Sequence, residues 1–251
     1  MSDRLEPLGA SVARLNDVVA ALEPSDYISR AYPSEWSIAD TCSHLGSGAV
    51  ISRRRFEDWA AQRETDPSFN SSVWDEWNAK DPSDQVAECL TNDAALLSLL
   101  QATTDEQRSA FQMAMGPFSF DFDGMVGLRL SEHALHTWDI EVVGDPGATL
   151  PTDAANVILD SVQFIVARTA KPTGEPQNVT IRTLDPPRDF TLILGADTAE
   201  LVESPVEGPA DLELPAESFV RLIYGRLDAE HTPAQVTGDV LDELRLVFPG
   251  F

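Results

Sequence analysis

Four histidines occur in the sequence, His44, His133, His136 and His231. Glu132 and His136 stand four residues apart within a helical pattern, so they share one helix face and can bind a single ion together. Arg129 and Asp139 continue the same stripe, three residues before Glu132 and seven after it. An ordinary solvated polar face has the same spacing. His44 lies in a different helical stretch, among the small residues Ser43, Gly46, Ser47 and Gly48, which let another helix or a ligand approach the backbone closely. Helix bundles bring side chains from separate helices to shared core positions. His44, Glu132 and His136 together would offer two imidazoles and a carboxylate. Three protein ligands leave the fourth position of a tetrahedral zinc ion open, which is the catalytic arrangement. Such a donor set also suits iron, nickel or cobalt. The alternative for His44 is a hydrogen-bonded core histidine. His133 is rotated about 100° from the Glu132–His136 stripe and is left out. Cys42, two positions from His44, falls on roughly the opposite face. His231 sits in a polar loop with no partner visible in the sequence. Asp40, one turn before His44, is accounted for by helix capping.

The elements that would carry these residues are helical in the first half. Over residues 4–22, Leu5, Leu8, Val12, Leu15, Val19 and Leu22 recur at spacings of three and four. Ser37-Ile38-Ala39-Asp40 fits a capping box that opens a second helix. A polar loop containing Trp74 and Trp77 is expected next, then a third helix over 82–100. Residues 116–124 read as a loop or short extended piece, and a fourth helix covers 125–143. Four amphipathic helices predict a bundle. After the break at 144–151, one helix over 153–170 leads into a different texture. Residues 179–184 and 190–194 alternate as half-buried strands do, with Asp185, Pro186 and Pro187 as a hairpin turn. Further expectations are a strand at 210–214, a helix over 215–227, a strand at 235–237 and a helix over 239–248.

The composition limits the functional classes. The chain has 251 residues, 43% hydrophobic and 24% charged, enough to bury a core without disulfides or metal. It carries 17 Lys+Arg against 42 Asp+Glu, a net charge of −25. Such a surface repels phosphate backbones and anionic lipid, so neither nucleic acid nor a membrane is an expected partner. The two cysteines, Cys42 and Cys89, fall in helical patterns and are expected to be buried free thiols. Met1-Ser2-Asp3-Arg4-Leu5-Glu6 carries no apolar signal core, and no stretch approaches the length of a membrane span, so a cytoplasmic, reduced protein is expected.

Longer motifs carry a family resemblance. Trp36-Ser37-Ile38-Ala39-Asp40-Thr41-Cys42-Ser43-His44-Leu45 resembles the signature of the DinB-like metal-binding bundles. Glu132-x-x-x-His136-x-x-Asp139 is similar to the second metal motif of the mycothiol-dependent maleylpyruvate isomerase and S-transferase branch. The stretch from Leu214 to Arg226, followed by Val236-Thr237-Gly238-Asp239, resembles that branch's small sterol-carrier-like C-terminal domain. The resemblance implies an α+β chain: a DinB-like four-helix bundle over 1–148, then a linking helix and a small α/β domain over 149–251. It implies His44, Glu132 and His136 as metal ligands and Asp139 as an orienting partner, with a solvated carboxylate or a charge near the helix C-terminus as the alternative for Asp139. Two imidazoles and a carboxylate make zinc the expected divalent metal. Arg226 would bind a substrate carboxylate, with a surface arginine in a last helical turn as the alternative. The implied chemistry is activation of a small external thiol, mycothiol, for attack on an electrophilic small molecule. S-transfer is the broader expectation and maleylpyruvate-type cis–trans isomerisation the narrower one. Metal-assisted hydrolysis, or a non-catalytic small-molecule or lipid-binding protein with a structural or vestigial metal site, would fit the same residues.

Overall fold

The computed structural model describes residues 4–115 and 118–250. Residues 1–3 of the N-terminal stretch, and residues 116 and 117 of the expected loop, lie outside these. The chain divides into two compact units, Met1–Asp145 and Pro146–Phe251. It is mixed α+β, with a helical first unit and a sheet in the second.

The first unit is built on four long helices: α1 (Leu5–Ala20), α2 (Ile38–Ala60), α4 (Pro82–Ala102) and α6 (Phe122–Gly144). α2 packs along α4, α1 packs on α4 and α6, and α2 also meets α6. Leu15, Ile38, Leu45, Trp77, Val86 and Ile140 belong to one buried apolar cluster joining these helices. Removing such side chains from water contributes roughly 1.5–3 kcal/mol each. The capping box at the start of α2 is present: Asp40 N donates to Ser37 Oγ at 3.1 Å, and Ser37 N donates to Asp40 Oδ2 at 2.9 Å. α6 starts three residues before the expected position because Asp121 caps it, accepting from Gly124 N at 2.8 Å.

One local expectation in this unit is corrected, and further short elements follow α4. The segment with Trp74 and Trp77 is a helix, α3 (Phe69–Asn78), which buries Val73 and Trp77 against the bundle and leaves Trp74 exposed. A short helix, α5 (Asp105–Ala110), is opened by a Thr104–Gln107 capping box. Beyond it, β1 (Met113–Met115) and β2 (Phe118–Phe120) pair antiparallel.

The second unit holds a four-stranded sheet of order β5-β4-β3-β6: β3 (Gln177–Leu184), β4 (Arg188–Leu194), β5 (Ala199–Glu203) and β6 (Leu212–Pro215). β3 is antiparallel to β4 and parallel to β6. Its buried residues alternate as expected, with Ile181 opposite Phe190 on one side and Leu212 on the other. Thr183 fastens the β3–β4 turn, its hydroxyl donating to Pro186 O at 2.7 Å and accepting from Arg188 N at 3.0 Å. The helix expected over 153–170 is two, α7 (Thr152–Leu159) and α8 (Val162–Thr169). α9 (Ala216–Ile223) ends four residues before the expected position. Gly225 stands at φ +69, with Gly225 N bonded to Leu222 O and Arg226 N to Arg221 O, the bonding of a Schellman cap. Residues 235–237 form no strand, and the last helix, α10, runs Leu241–Val247.

Candidate metal centre

α2 and α6 bring the three candidate ligands to one place. One donor atom each from His44, Glu132 and His136 lie within 4.8 Å of one another. His44 Nε2 is 2.9 Å from Glu132 Oε2, and His136 Nε2 is 3.7 Å from that oxygen. The two imidazoles meet edge-on, with ring centroids 4.7 Å apart. Ligands bonded to one tetrahedral zinc at about 2.0–2.1 Å are about 3.3 Å apart. The two distances to Glu132 bracket that value, so the donor set fits an ion of this size with small side-chain shifts.

Asp139 prepares His136 for such a role. Its carboxylate, fully buried one turn further along α6, has Oδ2 2.7 Å from His136 Nδ1. A carboxylate only accepts, so the ring proton belongs on Nδ1, and the lone pair is then on Nε2, the nitrogen nearer Glu132. The solvated carboxylate considered as an alternative for Asp139 is therefore not what the fold contains. Glu132 has 48% of its side chain exposed. Desolvation by the surrounding helices raises its pKa, but the hydrogen bond with His44 and the electrostatic attraction of His136, His44 and Arg129 outweigh it and lower it from 4.5 to about 2. The carboxyl is thus held as an anion, the form a cation needs.

Trp36 walls the site. Its ring centroid is 5.1 Å from that of His44 and 5.5 Å from that of His136, stacked on the latter at 29°. The loop that carries it is tied down at both ends. Ala31 N donates to Trp36 O at 2.9 Å, and Tyr32 N donates to Asp139 O on α6 at 2.9 Å. The sequence offered Trp36 as part of a motif, with no sign that it would touch both histidines.

The remaining polar candidates sort differently. His133 is fully buried, with Nδ1 2.9 Å from Ser11 Oγ and Nε2 3.2 Å from Asp93 Oδ2. Arg129 is also buried, in an ion pair with Asp93. Only the partners of these two residues explain their burial, and Asp93 escaped notice because its ionic partners lie on another helix, α6. Cys42 and Cys89 are buried free cysteines. His231 has a partner, its Nδ1 lying 2.8 Å from Asp228 Oδ1. Arg226 belongs to the second unit. It lies beyond the end of α9, is 8% exposed, and donates from Nη1 to Tyr224 O at 2.9 Å, so it is not a surface arginine in a last helical turn.

Residues 8–141, more than half of the chain, match the family model described as the mycothiol maleylpyruvate isomerase N-terminal domain. The chain belongs to this family. Within the family match lie all three candidate ligands and Asp139, whereas Arg226 falls outside it. Two solved structures are similar in fold to this family member, a mycothiol-dependent maleylpyruvate isomerase and a histidine-to-alanine mutant of a protein so described. Both have a TM-score of 0.62, at 14% and 13% identity respectively, covering 89% of this chain and 88% of theirs. No curated protein matches the chain by sequence. No helix among the described residues is long and apolar enough to cross a membrane.

Proposed function

We propose that this chain is a metal-dependent enzyme that adds a small thiol, mycothiol, to an electrophilic small molecule. In the maleylpyruvate-type version, addition turns a cis double bond into a single bond, and rotation with loss of the same thiol returns the trans isomer. The observation that carries the proposal is the convergence of His44, Glu132 and His136 donors within 4.8 Å. Family membership supports the choice of thiol.

His44, Glu132 and His136 are the residues that would hold the ion, and zinc is the metal proposed for two imidazoles and a carboxylate. When bound, a divalent ion with three protein ligands supplies an open Lewis-acidic position that lowers the pKa of a thiol from about 8.5. The chain's residues prepare that position. Asp139 fixes the His136 tautomer, Glu132 stays anionic, and Trp36 covers one side of both imidazoles. No cysteine of the chain is a ligand candidate at the site, which favours an external thiol. Arg226 is proposed as the partner of a substrate carboxylate, since a guanidinium pairs carboxylates bidentately. Asp139 and Arg226 are thus the residues assigned to orientation and substrate binding.

The test is turnover by zinc-loaded protein. Mycothiol with maleylpyruvate, or with a thiol-reactive bimane, should give product faster than the same mixture without protein, and a chelator should abolish the difference. Equal rates with and without zinc-loaded protein, for both electrophiles, would contradict the proposal.

A further inference from the structure

We infer that Arg129 is a positioning residue for the metal site, a clamp that fixes the register of α2 against α6 beside the three ligands. The inference rests on the reading of His44, Glu132 and His136 as metal ligands. Arg129 lies one turn before Glu132 on α6, and its Nη2 donates at 2.9 Å to the carbonyl oxygen of Leu45, the residue after His44 on α2. A carbonyl within a helix already accepts one backbone N–H, and the guanidinium takes its second lone pair. This bond therefore joins the His44 turn of one helix to the Glu132 turn of the other.

The geometry around the clamp is specific. Asp93 on α4, 2% exposed, pairs one oxygen with Arg129 and places the other 3.2 Å from His133 Nε2. His133 in turn reaches Ser11 on α1. One buried chain of polar groups thus links all four long helices, with Arg129 at its end nearest the ligands. Gly48 makes the room, since a Cβ there would stand 3.0 Å from Arg129 Nη1. The two glycines of α2, unfavourable by about 1 kcal/mol each in a helix interior, are thereby explained. Gly48 admits the guanidinium, and Gly46 admits Trp77 and the Cys89 backbone.

The test is zinc affinity, read by competition with a chromophoric chelator, alongside the thermal stability of the metal-free protein. In Arg129→Lys a positive charge remains, but the shorter side chain no longer carries a nitrogen to the point where Nη2 meets both Asp93 and Leu45 O. Its zinc Kd should rise by about 10–100-fold, as for other groups that support metal ligands. Ser11→Ala, at the far end of the chain, should lower stability and leave the Kd within about twofold. If Arg129→Lys does not fold, Gly48→Ala takes its place. It improves helix propensity while pressing on the guanidinium, and its Kd should rise severalfold. Arg129→Lys (or Gly48→Ala in its place) binding zinc within about twofold of wild type would overturn the clamp alone. So would an equal loss in Ser11→Ala, which would mark a general effect of bundle stability. A wild-type protein that takes up no zinc would overturn the metal reading and the clamp with it.

Discussion

His136 and Asp139 illustrate how much one residue pair can decide. The 2.7 Å contact from His136 Nδ1 to the fully buried Asp139 sets the tautomer and the direction of the ring together. Asp139→Asn keeps the shape, but an amide can donate as well as accept, so the tautomer is no longer enforced. Zinc affinity should fall by about 10–100-fold with the far-UV circular dichroism unchanged. Asp93 makes the corresponding case for stability. Burial pushes its pKa up, but the Arg129 charge and the His133 hydrogen bond outweigh this and hold it below the ordinary 3.8. A carboxyl with a depressed folded pKa contributes stability that is present above 3.8 and lost as the pH falls through the lower folded value. Asp93→Asn leaves the Arg129 guanidinium buried without its counter-ion and should cost about 3–5 kcal/mol in urea unfolding at neutral pH. The gap between variant and wild type should narrow as the pH drops below 3.8.

At the scale of the element, the close approach of α2 to its neighbours is set by Gly46. A Cβ there would lie 2.2 Å from the Trp77 ring and 2.9 Å from Cys89 Cα. Gly46→Val should therefore destabilise the bundle by about 1–3 kcal/mol or more, despite removing a helix-weakening glycine, with thermal unfolding as the check. The same contacts explain what could be read in advance. α2 was legible because its capping box and apolar spacing agree with its final packing, whereas the Asp121 cap of α6 went unread and its start was placed three residues late. The approach of His44 to Glu132 was legible through two separate motifs, one around each residue, and through the small residues beside His44 that admit a neighbouring helix. α3 was not legible because its polar stretch, Asn70, Ser71 and Ser72, is helical only through the burial of Val73 and Trp77. The early end of α9 had a signal in Gly225, the residue type that a left-handed cap position prefers, but the apolar run around it favoured a longer helix. Burial of Asp93, Arg129 and His133 depends on partners from separate helices, and spacing along one helix carries no trace of them.

At the scale of the whole molecule, the three proposed ligands sit on two helices that are already packed in a large apolar core. The metal is therefore expected to be dispensable for folding. Exhaustive chelation should leave the far-UV circular dichroism in place, while added zinc raises the melting temperature through its preference for the folded state. Loss of helicity on chelation would instead indicate a structural ion.

The most direct test of the central claim is the metal content of the purified wild-type protein and of His44→Ala, by elemental analysis without added metal. The site described predicts about one zinc per chain in the wild type and its loss in the variant. Two equally metal-free proteins, still empty after zinc is supplied, would contradict it.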